Sequence, residues 1–289
     1  MNIGLIDVDS HNFPNLALMK ISSFEKSRGN SVEWWNGLQH YDRVYEAKVF
    51  DETYTPDNDF IINADEVIKG GTGYGLDNTL PDEIEHTYPD YGLYGITDTA
   101  YGFLTRGCPR HCKFCIVGDK EGLISHKVAD LSEFWRGQKN IQILDPNILA
   151  SKNRTELLEQ LIESGAYVEF NQGLDVRLLD RNTADLINQM KIKYIHFAWD
   201  NYESITQKKL EDAREWLKFD NHKIIVYVLV NFNTTIEQDL ERINAIWNIG
   251  FYPYVMIYDK PHSPKEIRRL ARWCNCRWIF KSCKWEDYK

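Results

Sequence analysis

Apolar residues recur along this chain with two periods, and the switches between them outline its elements. Residues 3–8 form a strand-like run, and from Pro14 onward Leu16, Met19 and Phe24 fall on one helical face until Gly29. A second strand follows at 31–35, with weaker candidates at 43–49 and 60–62. Residues 66–68 then lead into Gly70-Gly71-Thr72-Gly73-Tyr74-Gly75. This is a small α/β unit with a glycine-rich edge. Between 75 and 98 the pattern gives way to Pro, Asp, Tyr and Gly, with a short helix around 81–86, which reads as a linker. Six strand candidates follow at 101–105, 141–144, 168–170, 194–198, 223–230 and 254–258, each trailed by a candidate helix. Two helices carry start signals. Asn153 precedes one that stops at Gly165, and Thr234 with Glu237 three residues on forms a capping box for one that stops at Gly250.

Six strand-helix units with mostly apolar strands predict a parallel sheet buried on both faces, either a curved partial barrel or a doubly wound sheet. Both architectures bind ligands at the C-terminal strand ends. Those ends hold Asp145 and Asn147, Gln172 and Asp175, Asp200 and Asn201, Asn231, and Asp259. The expected fold class is therefore α/β, with a Rossmann-like unit over residues 1–98, linker included, and a second domain over 99–289. No repeat or low-complexity stretch interrupts either part.

Charge is distributed unevenly within a net charge of -9. Residues 1–100 hold 6 Lys/Arg against 18 Asp/Glu, whereas residues 260–289 hold 9 against 3. The field of the first part repels nucleic acid, and the tail could attract it. The longest apolar run, residues 224–230, is far short of the roughly 20 needed to span a bilayer, and the first residues do not read as a signal peptide. A cytoplasmic protein with no membrane partner is the expectation.

The six cysteines form two groups of three: Cys108, Cys112, Cys115 and Cys274, Cys276, Cys283. The first group follows the strand at 101–105 with Cys-x-x-x-Cys-x-x-Cys spacing, close enough for its thiolates to converge on one metal centre. Three ligands leave a metal with an open position, whereas structural zinc sites and electron-transfer clusters are normally closed with four. His111 adjoins Cys112 and points away if its neighbours ligate. A structural zinc knuckle remains the bland alternative.

This loop, with Phe114 just before its last cysteine and a parallel α/β barrel after it, resembles the radical S-adenosylmethionine (SAM) enzymes. The resemblance implies a partial (βα)6 TIM-type barrel over residues 99 to about 260. It also implies a 4Fe-4S cluster held by Cys108, Cys112 and Cys115, with SAM on the open iron and Phe114 against its adenine. One-electron reduction would split the sulfonium and yield a 5′-deoxyadenosyl radical that takes hydrogen from a substrate, the electron coming from a donor such as flavodoxin or ferredoxin. Gln172, Asp175, Arg177, Asp200 and Asn231 would hold the rest of the cofactor, since a carboxylate needs a cation and hydroxyls need acceptors. An Asp175–Arg177 ion pair sealing the barrel is the competing reading. Many family members carry a Gly-Gly-Glu type turn after the second strand. This chain has Leu144-Asp145-Pro146-Asn147, so Asp145 takes that place without the glycines.

Asp9-Ser10-His11-Asn12-Phe13-Pro14 is similar to the loop of cobalamin-binding domains that precede many such barrels. There His11 would ligate cobalt and Asp9 would orient it. The sixth position is Pro14 where that loop has Gly, and the favoured reading is a degenerate, cofactor-free Rossmann-like domain, with cobalamin as the alternative. The glycine run at 70–75 is a weak phosphate-loop signal without the lysine. Cys274, Cys276 and Cys283 default to free, partly buried thiols rather than a second metal site. No cysteine precedes Cys108, unlike the two-cluster methylthiotransferases. Tail residues such as Arg268, Arg269, Arg272, Arg277, Trp273, Trp278 and Trp285 suit either nucleic acid or, the favoured reading, tryptophans packed on the barrel with a solvated basic face. The function expected is a radical SAM enzyme of unassigned substrate. The competing class is a non-enzymatic zinc or iron-sulfur module binding nucleic acid through the tail, and a third is an electron-transfer protein with a four-ligand cluster.

Overall fold

A computed structural model describes residues 1–10, 13–57 and 61–288, so the proposed cobalt ligand His11 lies outside the described residues, as does Phe60 of the strand candidate at 60–62, whose described residues Ile61 and Ile62 belong to no strand. The chain divides into two compact units, one of residues 1–101 with 132–138 and one of residues 102–131 with 139–289.

The first unit opens with β1 (Asn2–Asp7), α1 (Leu16–Ser27), β2 (Ser31–Trp34), β3 (Tyr41–Ala47) and β4 (Ala64–Gly70), and a short α2 (Asp82–Glu85) follows. Its four strands are parallel in the order β2-β1-β3-β4. Asn15 caps α1 by accepting the Leu18 amide at 3.2 Å, and the helix lays Leu18 and Ile21 against Ile3, Leu5, Tyr45 and Ala47. The glycine run is explained by backbone approach rather than by phosphate. A Cβ on Gly71 would lie 2.3 Å from the Lys48 carbonyl oxygen and one on Gly73 would lie 2.4 Å from that of Phe50. The Gly73 amide donates to the Lys48 carbonyl at 2.9 Å. Asp9 is buried, and its two oxygens accept the Val49 and Phe50 amides at 2.8 Å each. Its observed work is therefore to hold that crossing.

The second sheet contains β5 (Thr99–Gly102), β8 (Asn140–Ile143), β9 (Tyr167–Leu174), β10 (Lys191–Ala198), β11 (Ile224–Val230) and β12 (Tyr252–Ile257). Between its first two strands lie the antiparallel pair β6 (Thr105–Arg106) and β7 (His126–Lys127), with α3 (Val117–Glu121) between them. The helices that follow the later strands are α4 (Arg154–Ser164), α5 (Arg181–Ile187), α6 (Ser204–Trp216), α7 (Ile236–Ile249), and α8 (Lys265–Asn275) with α9 (Arg277–Ser282). The order β12-β11-β10-β9-β8-β5 is sequential, and the strands from β8 to β12 pair in parallel. A doubly wound sheet would reverse order at a switch point, so that alternative is excluded. Right-handed crossovers between sequential neighbours put the helices on a single face.

That single covering corrects the expectation of a sheet buried on both faces. Ile195, Phe197, Val226, Val228 and Val230 alternate on the fully buried face. The opposite face carries Tyr194, His196, Tyr227 and Tyr254, of which His196 stacks on Tyr227 with centroids 5.0 Å apart. The capping box also falls one residue later than the sequence suggested. Thr235 and Gln238 form it, while Thr234 donates to Asp239 at 2.6 Å. The other helix does begin at Arg154, but the Asn153 side chain donates to Glu156 instead of capping the helix.

The tail packs inward. Trp273 is buried, donates to the Cys283 carbonyl at 2.8 Å and meets Phe280 and Trp285, while Arg269 and Arg277 lie over the rings of Trp285 and Tyr252. Trp278, 85% exposed, is the outward exception. Asn275 accepts the Val255 amide at 2.7 Å and donates to the Val255 carbonyl at 3.0 Å. Cys274 is buried with its thiol on the Pro253 carbonyl, and burial pushes its pKa up to about 12. Among the described residues no helix is long and apolar enough to cross a membrane.

The glycine crossing yields a paired test. Gly29 and Gly71 both have positive φ, but nothing lies within 4 Å of a Cβ at Gly29. Gly29→Ala is expected to cost about 1 kcal/mol, from backbone strain alone. Gly71→Ala is expected to cost several times more, read as the larger fall in thermal midpoint when the two variants are compared side by side.

Candidate metal and cofactor site

The loop holding Cys108, Cys112 and Cys115 is closed at its neck. Thr105 and Arg106 pair with Lys127 and His126, the Cys108 amide donates to the Gly122 carbonyl at 3.1 Å, and Glu121 accepts from Arg106 at 2.8 Å and from the Gly107 amide at 3.0 Å. Gly107 has φ +84°, and a Cβ there would lie 2.3 Å from the Ile124 carbonyl oxygen, so no other residue fits. A turn brings the Cys115 amide to the Cys112 carbonyl at 2.9 Å.

Successive strand ends meet this loop. Asp145, just past β8, accepts the Leu104 amide, the Thr105 amide and the Thr105 hydroxyl at 2.7, 2.7 and 2.6 Å. Burial nonetheless pushes its pKa up to about 7, against those donors. The structure thus shows Asp145 fixing the base of the loop, not facing an open site. Asn147 donates to the Cys108 sulfur at 3.5 Å and its backbone carbonyl accepts from Ser125, whereas its buried Oδ1 meets no partner. Beyond β9, Asp175 accepts from Arg110 of the cysteine loop and from Arg177 at 2.8 Å, and the two guanidinium groups hold its carboxyl below the usual range despite burial. Arg177 also reaches Glu203 at 3.3 Å. The ion pair expected between Asp175 and Arg177 therefore exists, as part of a network that reaches into the loop.

Asp200 follows β10, and burial raises its pKa to about 6 against the pull of Arg242 and Arg177. Phe114 packs edge-to-face on Phe232 at 5.5 Å, which in turn meets Tyr258 at 4.9 Å beyond β12. Asn231, with φ +65°, turns the chain after β11 and donates to the Tyr258 carbonyl at 2.9 Å. Gln172 is exposed on β9. Burial, Asp200 and the neighbouring thiols all raise the pKa of Cys112, and partial burial together with Cys108 and Asp200 raises that of Cys115. Cys112 and Cys115 thus sit where burial and neighbouring negative charge penalise the thiolate. Among the described residues, however, no three His, Cys, Asp or Glu side chains are grouped so as to hold a metal ion.

Arg110 was not singled out from the sequence, although a cation inside the cysteine motif was its visible signal. Arg242 gave none, because it looks like any surface position on an amphipathic helix. It is fully buried on α7, where it pairs with Asp239 at 2.6 Å and donates to the Trp199 and Leu229 carbonyls, tying together the ends of β10 and β11 beside Asp200.

The second unit is thus an α/β domain whose parallel strands end in polar residues beside a three-cysteine loop. No protein-family model matches the chain. It is similar to a CDK5RAP1-like protein of Oryza sativa subsp. japonica, 29% identical over 178 residues, which cover 57% of this chain and 29% of that protein. The chain thus spans well under half the length of the curated relative it matches.

Two tests follow from the loop's anchors. Because the folded pKa of Asp145 is raised, the stability it contributes is whole below its ordinary value of 3.8 and is lost as pH rises through about 7. Between pH 5 and 8 the wild-type thermal midpoint should fall relative to that of Asp145→Asn, which does not titrate. A constant difference would contradict this. Glu121→Ala removes two anchors of the neck, worth about 1–3 kcal/mol locally. It should speed maleimide labelling of Cys108, Cys112 and Cys115 while leaving the Cys274 rate unchanged.

Proposed function

We propose that the chain is a radical SAM enzyme in which Cys108, Cys112 and Cys115 hold three irons of a 4Fe-4S cluster. The observation that carries this reading is the loop of three thiols fastened over the C-terminal ends of β8 to β11. Its chemistry fits the group. Burial and the neighbouring thiols raise the pKa of Cys112 and Cys115, so a bound cation would let them ionise, while Asn147 Oδ1, buried and without a partner among the described residues, suits an amino-group donor. When bound, the cluster with SAM would supply one-electron cleavage of the sulfonium and a carbon radical for hydrogen abstraction.

This chain's own residues would do the rest. Arg177, held by Asp175 and Glu203, offers a cation to the methionine carboxylate, and Asp200, held near Arg242, offers an acceptor to ribose hydroxyls. Phe114 and Phe232 supply apolar ring faces for adenine and help exclude water. In this reading the six-stranded sheet curves as a partial (βα)6 barrel, and the face bearing Tyr194, His196, Tyr227 and Tyr254 lines the substrate space. The similarity to the rice CDK5RAP1-like protein supports the same superfamily reading. Flavodoxin or ferredoxin would serve as electron donor. The inward packing of Trp273 and Trp285 favours this enzyme over a nucleic-acid-binding module.

Anaerobic reconstitution followed by electron paramagnetic resonance of the dithionite-reduced protein tests the reading. A four-iron signal that changes on adding SAM, and disappears when the three loop cysteines are replaced by alanine, is expected. Protein that retains zinc and no iron would overturn it. Arg177→Ala should keep the cluster signal and weaken SAM binding about tenfold or more, the scale of a lost charge-assisted hydrogen bond.

A further inference from the structure

A cleft of about 480 Å³ opens in the first unit at the C-terminal ends of β1 and β2, far along the chain from the cysteine loop and built from other residues. It is lined by residues 5–8 and Ser10 together with Trp34, Trp35 and Tyr94. The volume suits a small molecule.

The walls are chemically uneven. Three aromatic side chains share the cleft with one carboxylate, and among the described residues no Lys or Arg lines it. Trp34 and Tyr94 stand nearly perpendicular, with centroids 5.1 Å apart and planes at 76°, so they form a corner. Each ring is held from behind. The Trp34 indole donates to the Leu93 carbonyl at 3.3 Å, and the Tyr94 hydroxyl donates to Asp7 Oδ2 at 2.6 Å. Asp7 Oδ1 accepts the Ser10 amide at 3.1 Å, so each carboxylate oxygen is held by one donor and keeps a second lone pair. Burial and the neighbouring Asp7 raise the Tyr94 pKa, so the phenol stays protonated.

Aromatic faces present negative potential, and a cage of them beside a carboxylate recognises organic cations rather than anions. The surrounding field has the same sign, since residues 1–100 carry 18 acids against 6 bases. A phosphorylated ligand would meet repulsion and no Lys or Arg among the described lining residues. We propose that this cleft is a binding site for an organic ammonium ion, its alkyl groups in the corner of Trp34 and Tyr94 and its charge answered by Asp7. The inference does not depend on the cysteine loop, and its test uses the full chain without iron or SAM, so the two stand or fall separately.

Isothermal titration calorimetry at constant ionic strength, with tetramethylammonium, putrescine, tert-butanol and adenosine as probes, decides it. At least one of the two cations should bind saturably and tert-butanol should not. Asp7→Asn and Trp34→Ala should each weaken that binding at least tenfold. Trp34 is 39% exposed, so its replacement tests the site even if Asp7→Asn disturbs the fold. Absence of heat with both cations, unchanged cation binding in both variants, or tighter binding of adenosine than of either cation would each overturn the proposal, the last by making the cleft a nucleoside site.

Discussion

One buried carboxylate joins the sheet to the chemistry proposed above it. Asp145 takes three hydrogen bonds from Leu104 and Thr105, fixing the end of β8 to the segment from which the cysteine loop departs. An ionised carboxylate is the acceptor those donors favour, and the surrounding apolar core is where ionisation is most costly. Everything downstream of that joint inherits its position. Gly107 turns the chain, Glu121 closes the neck, and Arg110 and Phe114 are carried toward β9 and β11. Without a fixed base these contacts would need to be made by a loop free at both ends, at an entropic cost that several weak interactions offset poorly.

The network above the joint is cooperative for an electrostatic reason. Asp175, Arg110 and Arg177 form a three-charge group in which removal of either cation leaves a mostly buried carboxylate less compensated. Arg242 does the corresponding work from the helix side, gripping two carbonyls at adjacent strand ends. Two atoms of that arrangement, Arg242 Nε and Asp239 Oδ2, have no protein partner, as does the nearby Trp199 Nε1.

Most of the architecture was legible in the chain because period and punctuation agree there. Gly165 and Gly250 stop α4 and α7 as read, both in left-handed conformation, and the six strands of the second sheet fall close to their expected places. The face they bury was not legible. In residues 224–230 every position is apolar or aromatic, so period two leaves no trace except Tyr227. At the site, the cysteines and the strand-end polar residues were visible as types and spacings. What Asp145 does was not, since a strand-end carboxylate reads identically whether it meets a ligand or a backbone amide. Gly71 and Gly73 likewise read as a ligand loop because the carbonyls they accommodate are more than twenty residues away.

The sheet also has to stop. β12 is its outermost strand on one side, and an outermost strand offers unpaired amides and carbonyls to any passing chain. Asn275 answers this at Val255 by presenting an amide side chain in the place of a seventh strand, one donor and one acceptor against one residue's backbone pair. The basic helix that carries it thereby acts as a guard against edge-to-edge aggregation. Loss of α8 would expose an adhesive strand as well as the apolar surface beneath Trp273.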